Sequence, residues 1–117
     1  MACQPNEIIP SPRFIRDIGN LRKAHRSVDS AVCEIIKEEI CPDPLSGDAI
    51  KGFAGRIRKS RVPNPDSNLG KRGGFRLIYD WNPGSKTLCL LCLFSKKDTA
   101  SLANAEVAKA RNSARIK

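Results

Sequence analysis

The spacing of apolar residues changes partway along the chain, from the period of a helix to the period of a strand. Before about residue 42, apolar side chains recur three and four positions apart, and beyond about residue 56 they alternate with polar ones. A period of about 3.6 residues and a period of 2 are met by helices and strands respectively. The sequence therefore predicts two early helices followed by a sheet.

Two helices are predicted in the first part of the chain. Ser11 and Pro12 supply an N-cap and a first-turn proline, and helical spacing then continues to about residue 24. Ser27 caps a second helix, whose apolar stripe extends to Ile40. The short link predicts an antiparallel hairpin, and residues 7–10 form a candidate strand before it.

Beyond a predicted loop at residues 42–55, the pattern indicates three strands and a last helix. The strands are residues 56–62, 75–81 and 87–94, and the helix starts within 98–101 and continues to about 115. The last strand is apolar throughout, as is typical of a central strand.

The predicted fold is a single α+β domain over residues 1–117. It contains a small, mainly antiparallel sheet, an N-terminal helical hairpin and a C-terminal helix, with the helices expected on one side of the sheet.

Alternation predicts a basic face on this sheet. Ile57, Lys59 and Arg61 share one face of their strand, and Arg76 lies on the opposite side of the next strand from its apolar residues. We therefore expect Lys59, Arg61 and Arg76 to converge on the face that the helices leave uncovered.

Positive charge is concentrated in the same part of the chain. The whole sequence carries 21 Lys and Arg against 12 Asp and Glu, for a net charge of +9. Residues 51–76 contain eight of the basic residues and one acidic residue. Such a concentration favours a polyanionic partner, either nucleic acid or an acidic protein, while a solvated charged face is the alternative interpretation.

The glycine-rich segment 70–74 offers three interpretations: a nucleotide-binding loop, a nucleic-acid-binding strand or a plain turn. It lacks the spacing of the common phosphate-binding loops and leads into a strand instead of a helix. Aromatic residues make up only 5% of the chain, so surfaces for base stacking are scarce. A flexible basic loop, with Lys71 and Arg72 contacting phosphates, fits best.

Neither a metal nor a cofactor is expected. Cys89 and Cys92 have the spacing of a zinc knuckle, but residues three apart in a regular strand point to opposite faces, and His25 is remote and expected at the surface. Core cysteines are the preferred interpretation. Five cysteines, an odd number, with no leader-like segment predict a reduced, cytoplasmic protein, and the longest apolar run falls well short of the roughly 20 residues needed to cross a membrane.

Several ordered segments together resemble one known family. They are Arg58-Lys-Ser-Arg-Val62, Gly73-Gly-Phe-Arg-Leu-Ile-Tyr79, Phe94-Ser-Lys-Lys-Asp98 and a last helix containing Ala105-Glu106. In this order they resemble the RelE/HigB toxins of bacterial type II toxin–antitoxin systems, over roughly residues 8–115. The resemblance implies a microbial-RNase-like RelE fold and a ribosome-dependent endonuclease that cleaves messenger RNA. Its implied partners are the ribosome, mRNA and a cognate antitoxin.

The resemblance also implies a set of site residues. Arg61 and Arg76 would stabilise the phosphate and Lys59 would assist proton transfer. The catalytic set implied by the resemblance is Lys59, Arg61, Arg76 and Lys97. The implied RNA contacts are Arg58, Lys71, Arg72 and Lys96. Some members carry a tyrosine early in the last helix, and that position here is Ala103.

Two alternatives stay open at this point. Relatives of the ParE type share the fold and act on DNA gyrase, and a catalytically inactive relative would bind only its antitoxin.

Overall fold

The structure is a computed structural model that describes residues 6–64, 74–95 and 103–114. In chain order, its elements are β1 (Glu7–Pro10), α1 (Pro12–Ala24), α2 (Val28–Ile35), a π-helical segment (Ile36–Ile40), β2 (Asp48–Ala49), β3 (Ile57–Val62), β4 (Phe75–Asn82), β5 (Thr87–Ser95) and α3 (Asn104–Ala114).

Within the described ranges the strands form one sheet, in the order β1-β5-β4-β3-β2. β1 runs parallel to β5, and the other neighbouring pairs are antiparallel. β5 is therefore a central strand, flanked by β1 and β4, as its unbroken apolar sequence predicts. The α+β class and the mainly antiparallel sheet are confirmed.

Strand β2 was not predicted, because it lies inside the segment that reads as a loop. The Tyr79 hydroxyl donates to the Pro44 carbonyl (2.8 Å) and accepts from the Gly47 amide (3.1 Å). A Cβ at Gly47 would lie only 2.8 Å from that hydroxyl, so the loop needs glycine there. A buried tyrosine on β4 thus fixes the chain just before β2.

The helical hairpin covers one face of the sheet. The apolar residues predicted for the core side of β4 are all buried on this face, together with Phe14 of α1 and Val32 of α2. These β4 residues are Phe75, Leu77, Tyr79 and Trp81.

Helix α3 covers the opposite face, so the expectation that all helices pack on one side is wrong. Val107 and Ala110 of α3 pack with Ile57 of β3 and Ile78 of β4, which alternation turns away from the helical hairpin. Because β5 is apolar on both sides, its second face also requires a cover.

A β-bulge in β5 corrects the prediction for the two cysteines. Ile78 pairs with Cys92 and Tyr79 pairs with Leu90, which leaves Leu91 as an extra residue between them. The bulge brings Cys89 and Cys92 to the same face, where both pack in the cluster under α3. They remain core cysteines, and burial raises the pKa of each thiol to about 11.

The end of α2 differs from prediction. The stripe of α2 continues to Ile40, but its last turn is π-helical, with the Cys41 amide donating to the Ile36 carbonyl (2.8 Å). Helix α3 begins at Asn104, and the predicted start within residues 98–101 lies outside the described residues. By contrast, α1 has the predicted bounds, and the Ser11 hydroxyl caps it by accepting from the Phe14 amide (3.0 Å).

Candidate active site

Three of the predicted site residues meet on one face of the β3–β4 pair. Arg61 lies directly opposite Arg76, and Lys59 lies two residues earlier on β3, opposite Ile78. Residues directly opposite in an antiparallel pair have Cβ atoms about 4.5–5.5 Å apart and project to the same face. The convergence of Lys59, Arg61 and Arg76 is therefore observed, on the face that α3 covers farther along the strands.

Arg76 is the buried member of this group, with only 5% of its surface exposed. Its Nη1 donates to the carbonyl of Phe75 (3.1 Å). Burial lowers the pKa of Arg76, and the positive charge of Arg61 lowers it further. Since a guanidinium stays protonated in proteins, two like charges face each other here. An anion bound between them would be attracted by both.

Lys59 lies between two open cavities of similar size. One, of about 330 Å³, is also lined by Ser46, Asp48 and Arg61. The other, of about 320 Å³, is also lined by Asp48, Lys51 and Phe94. Lys59 is partly buried and Arg61 is exposed. The basic face therefore has room for a chain that follows the strand from Arg61 past Lys59.

Asp48 lines both cavities and was missed from the sequence. It is the Cα partner of Lys59 across the β2–β3 ladder. Its position depends on a two-residue strand inside an apparent loop, so no periodic signal marks it.

Arg58 lies on the other face of β3, as alternation requires. Its guanidinium donates to the carbonyls of Gly55 (3.1 Å), Leu45 (3.2 Å) and Gly47 (2.9 Å). The structure therefore does not bring Arg58 together with Lys59 and Arg61. In the described fold, its side chain holds the segment around β2 against β3.

The other predicted site residues lie outside the described residues. They are Lys71, Arg72, Lys96 and Lys97. Gly74, which follows the basic loop, is described: a Cβ there would overlap the carbonyl oxygen of Val62. Ala103 is exposed, and its carbonyl accepts from the amides of Glu106 (3.0 Å) and Val107 (3.2 Å) as α3 begins.

A second charged group lies at the opposite end of the same β4 face. The Asp80 carboxylate is nearly buried and is bound by Arg56 through two contacts of 3.3 Å. Arg111 of α3 donates its Nε to the same carboxylate at 3.1 Å. This cluster, Arg56–Asp80–Arg111, borders a cavity of about 290 Å³. It attaches α3 to the sheet with paired charges.

The chain's one histidine lies on the helical-hairpin face of the sheet, opposite Lys59, Arg61 and Arg76. The His25 ring packs edge-on against Phe75 (5.1 Å between centroids), so it is partly buried and not at the surface as expected. Across residues 6–64, 74–95 and 103–114, no group of three or more metal-binding side chains is found. None of the helices in these ranges is long and apolar enough to cross a membrane.

These observations define a small α+β domain in which three cationic side chains share one sheet face, beside two open cavities. No model of a known protein family matches the sequence. Comparison with solved structures identifies the fold. A chain of the toxin–antitoxin complex RelBE2 from Mycobacterium tuberculosis matches with a TM-score of 0.57 and 20% identity, covering 79% of this chain and 92% of that one.

Two further structures support the same fold. A mutant of the E. coli toxin RelE in the free state matches with a TM-score of 0.56 and 13% identity, covering 97% of this chain and 95% of that one. The conserved hypothetical protein HP0892 from Helicobacter pylori matches with a TM-score of 0.50 and 19% identity, covering 79% and 96% respectively. The chain therefore has the fold of the RelE toxins, as the sequence resemblance implied.

Proposed function

We propose that this chain is the toxin of a type II toxin–antitoxin pair and that it cleaves messenger RNA on the ribosome. The observation that carries the proposal is the facing pair Arg61 and Arg76, with Lys59 beside it on the same sheet face. The RelE fold supports it, because two of the matching structures are described as a toxin or a toxin–antitoxin complex.

The chemistry of RNA cleavage matches this arrangement. Attack of a 2′-hydroxyl on the adjacent phosphate builds negative charge on the phosphoryl oxygens. Arg61 and Arg76, held on adjacent strands, would bind those oxygens more tightly in the transition state than in the ground state, because their own repulsion is relieved most when the charge is greatest. Lys59 would assist the proton transfer that starts the attack.

The remaining basic residues extend the proposal beyond the described site. Lys97 would complete the catalytic group, and Lys71, Arg72 and Lys96 would contact the RNA backbone. Arg58, the fourth predicted RNA contact, makes three bonds to backbone carbonyls on the other face. We therefore assign Arg58 to holding the loop before β3.

We propose an antitoxin as the protein partner. RelBE2 is a toxin–antitoxin complex, and the net charge of +9 favours a partner with an acidic toxin-binding segment. Activity on translating ribosomes requires a cytoplasmic location, which agrees with the cysteine usage.

Induction in cells that lack the antitoxin tests this function. Wild type should stop growth and produce new transcript ends within coding regions, whereas Arg76→Met should do neither. Arg22→Met is the matched control, because it removes the α1 arginine of an exposed ion pair between α1 and α2 and should remain toxic. Both variants must stay folded, as shown by circular dichroism.

Other outcomes separate the alternatives. Intact transcripts with a DNA-damage response would favour a gyrase-directed toxin. Absence of toxicity in wild type, with tight binding to the product of a neighbouring gene, would indicate an inactive antitoxin-binding relative. Ribosomes programmed with a defined mRNA should be cut by purified wild type, and replacement of the attacking nucleotide by its 2′-deoxy form should abolish that cut.

A further inference from the structure

An acidic side chain lies within the basic face, where sequence reasoning expected only cations. β2 is two residues long, and its register sets Asp48 directly opposite Lys59. Directly opposed side chains in an antiparallel pair share a face, with Cβ atoms about 4.5–5.5 Å apart. Asp48 and Lys59 also line the same two cavities. A carboxylate and an ammonium group thus share the space that RNA would enter.

The Asp48 carboxylate is free to act on a ligand. Asp17, Asp29 and Asp80 are each bound by arginine side chains at 2.6–3.3 Å. Asp48 is exposed, and across residues 6–64, 74–95 and 103–114 the ion pairs and side-chain hydrogen bonds do not include it. Its side chain therefore has no structural task in the described fold.

The proton-transfer step distinguishes Asp48 from Lys59. A lysine has an ordinary pKa of about 10.4 and is protonated at neutral pH, whereas an aspartate has one of about 3.9 and is ionised. Only the ionised carboxylate can accept a proton without first losing one.

We propose that Asp48 is the group that accepts the proton of the attacking 2′-hydroxyl, and that Lys59 supplies positive charge beside the developing oxyanion. This inference rests on the proposed ribonuclease function. In the step, the O2′–H proton moves to the Asp48 carboxylate, the O2′–P bond forms and the P–O5′ bond breaks. The leaving O5′ takes a proton from water or from a cation of the site. The products are a 2′,3′-cyclic phosphate and a free 5′-hydroxyl.

Two substitutions separate this arrangement from one in which Lys59 is the base. In single-turnover cleavage on programmed ribosomes, Asp48→Asn should slow the chemical step about 100-fold or more, the usual range for loss of a general base. Lys59→Arg keeps the charge but cannot lose a proton, so it should retain cleavage within about 10-fold. The reverse pattern, with Lys59→Arg inactive and Asp48→Asn active, overturns the proposal.

A pH profile gives a second, independent test. With a carboxylate acceptor, the wild-type rate should be flat between about pH 6.5 and 8.5, whereas a lysine acceptor would raise it about tenfold per pH unit. Among the described residues, the charged groups that line the two cavities with Asp48 are Lys59 and Arg61 of β3, Lys51 after β2 and Glu39 of the π-helical segment. A rising profile that Lys59→Arg flattens would assign the proton to Lys59.

Controls keep the inference distinct from the proposed function. Glu38→Gln removes one negative charge from an exposed position on the π-helical segment and should leave cleavage unchanged. Asp48→Glu should restore part of the activity that Asp48→Asn loses. If wild type does not cleave, the proposed function fails. If wild type cleaves and Asp48→Asn cleaves equally, only the role of Asp48 fails.

Discussion

The arginines at the two ends of β4 have different charged neighbours. At one end, Arg76 faces Arg61 across the strand pair, and both burial and this like charge lower its pKa. At the other end, four residues along the same face, Asp80 binds Arg56 and Arg111 in an ion-pair cluster. Both ends contain two arginines, and at the second end one buried carboxylate is bound by both of them.

This difference suits the Arg61–Arg76 end to ligand binding and the Arg56–Asp80–Arg111 end to a structural role. Removing one partner of a buried ion pair is costly, because it leaves the other charge buried without compensation. Two cations held close together repel each other, and an anion bound between them relieves that repulsion. The Arg61–Arg76 end is therefore the one suited to an anionic ligand, while the Arg56–Asp80–Arg111 end fixes the position of α3.

The largest expected effect is on catalysis at the Arg76 end. Arg76→Met should lower cleavage by about 10²–10³-fold, as loss of one transition-state donor does. The variant should still fold with a cooperative urea transition, because the methionine keeps the packed stem of the side chain. Single-turnover cleavage measures the loss of activity, and urea denaturation measures the stability of the variant. A loss of several kcal/mol in stability would mean that Arg76 is a structural residue like Asp80.

The next largest effect is on stability at the Asp80 end. Asp80→Asn should destabilise the fold by about 3 kcal/mol, because it leaves two arginines beside a group that can no longer balance them. Urea denaturation measures this loss. The matched control is Asp29→Asn, which removes the carboxylate of the exposed pair with Arg22. Equal effects of the two substitutions would show that the buried cluster has no special role.

A smaller loss of stability is expected when Arg111 alone is removed from the Arg56–Asp80–Arg111 cluster. Arg111→Met should cost about 1–2 kcal/mol, the value of a hydrogen bond to a charged group, while cleavage per folded molecule stays near wild type. The measurement is cleavage corrected for the folded fraction. Strong loss of cleavage in a folded variant would extend the catalytic site to the α3 end of β4.

The smallest expected effect is a loss of stability at alkaline pH. It arises from Cys89, whose pKa depends on Asp80 and Arg111. Burial and, to a smaller extent, the negative charge of Asp80 raise the pKa of Cys89 to about 11, against a lowering effect of Arg111. Because the folded state holds this proton more tightly, stability is fully present below pH 9 and falls as pH rises, by about 1 kcal/mol between pH 9 and 10.

In Asp80→Asn, the loss should begin at the same pH but be smaller and end at a lower pH, since Arg111 then lowers the folded-state pKa of the Cys89 thiol without the opposing carboxylate. Urea midpoints at several alkaline pH values measure this. An unchanged pH dependence would show that the Arg56–Asp80–Arg111 cluster does not affect the pKa of the Cys89 thiol.

Much of the fold and part of the site are predictable from the sequence, because their signals are periodic. Alternation along β3 and β4 is enough to put Lys59, Arg61 and Arg76 on one face, and the serine–proline start of α1 gives its first residue. Resemblance added the RelE fold, which comparison with solved structures confirms.

The parts that prediction missed depend on single tertiary contacts. An unbroken apolar run does not show where a β-bulge such as that at Leu91 occurs. The sequence therefore could not predict that Cys89 and Cys92 share a face. The strand that carries Asp48 follows a loop fixed by the Tyr79 hydroxyl. The ion pairs of Asp80 could not be predicted either. Its partners, Arg56 and Arg111, lie 24 and 31 residues away in the sequence, so Asp80 looks like any polar residue of an alternating strand.

The central position of β5 has a consequence for how the chain folds as it is made. β5 is the last strand of the described fold, yet β1 and β4 both pair with it, and Ser11 donates its hydroxyl to the Leu91 carbonyl across 80 residues. Chains are made from the N-terminus at about 5–20 residues per second, and contacts of high sequence separation form slowly. The β3–β4 hairpin that carries Arg61 and Arg76 can form early, but β1 and the helical hairpin must wait for the chain's final quarter before the sheet can close.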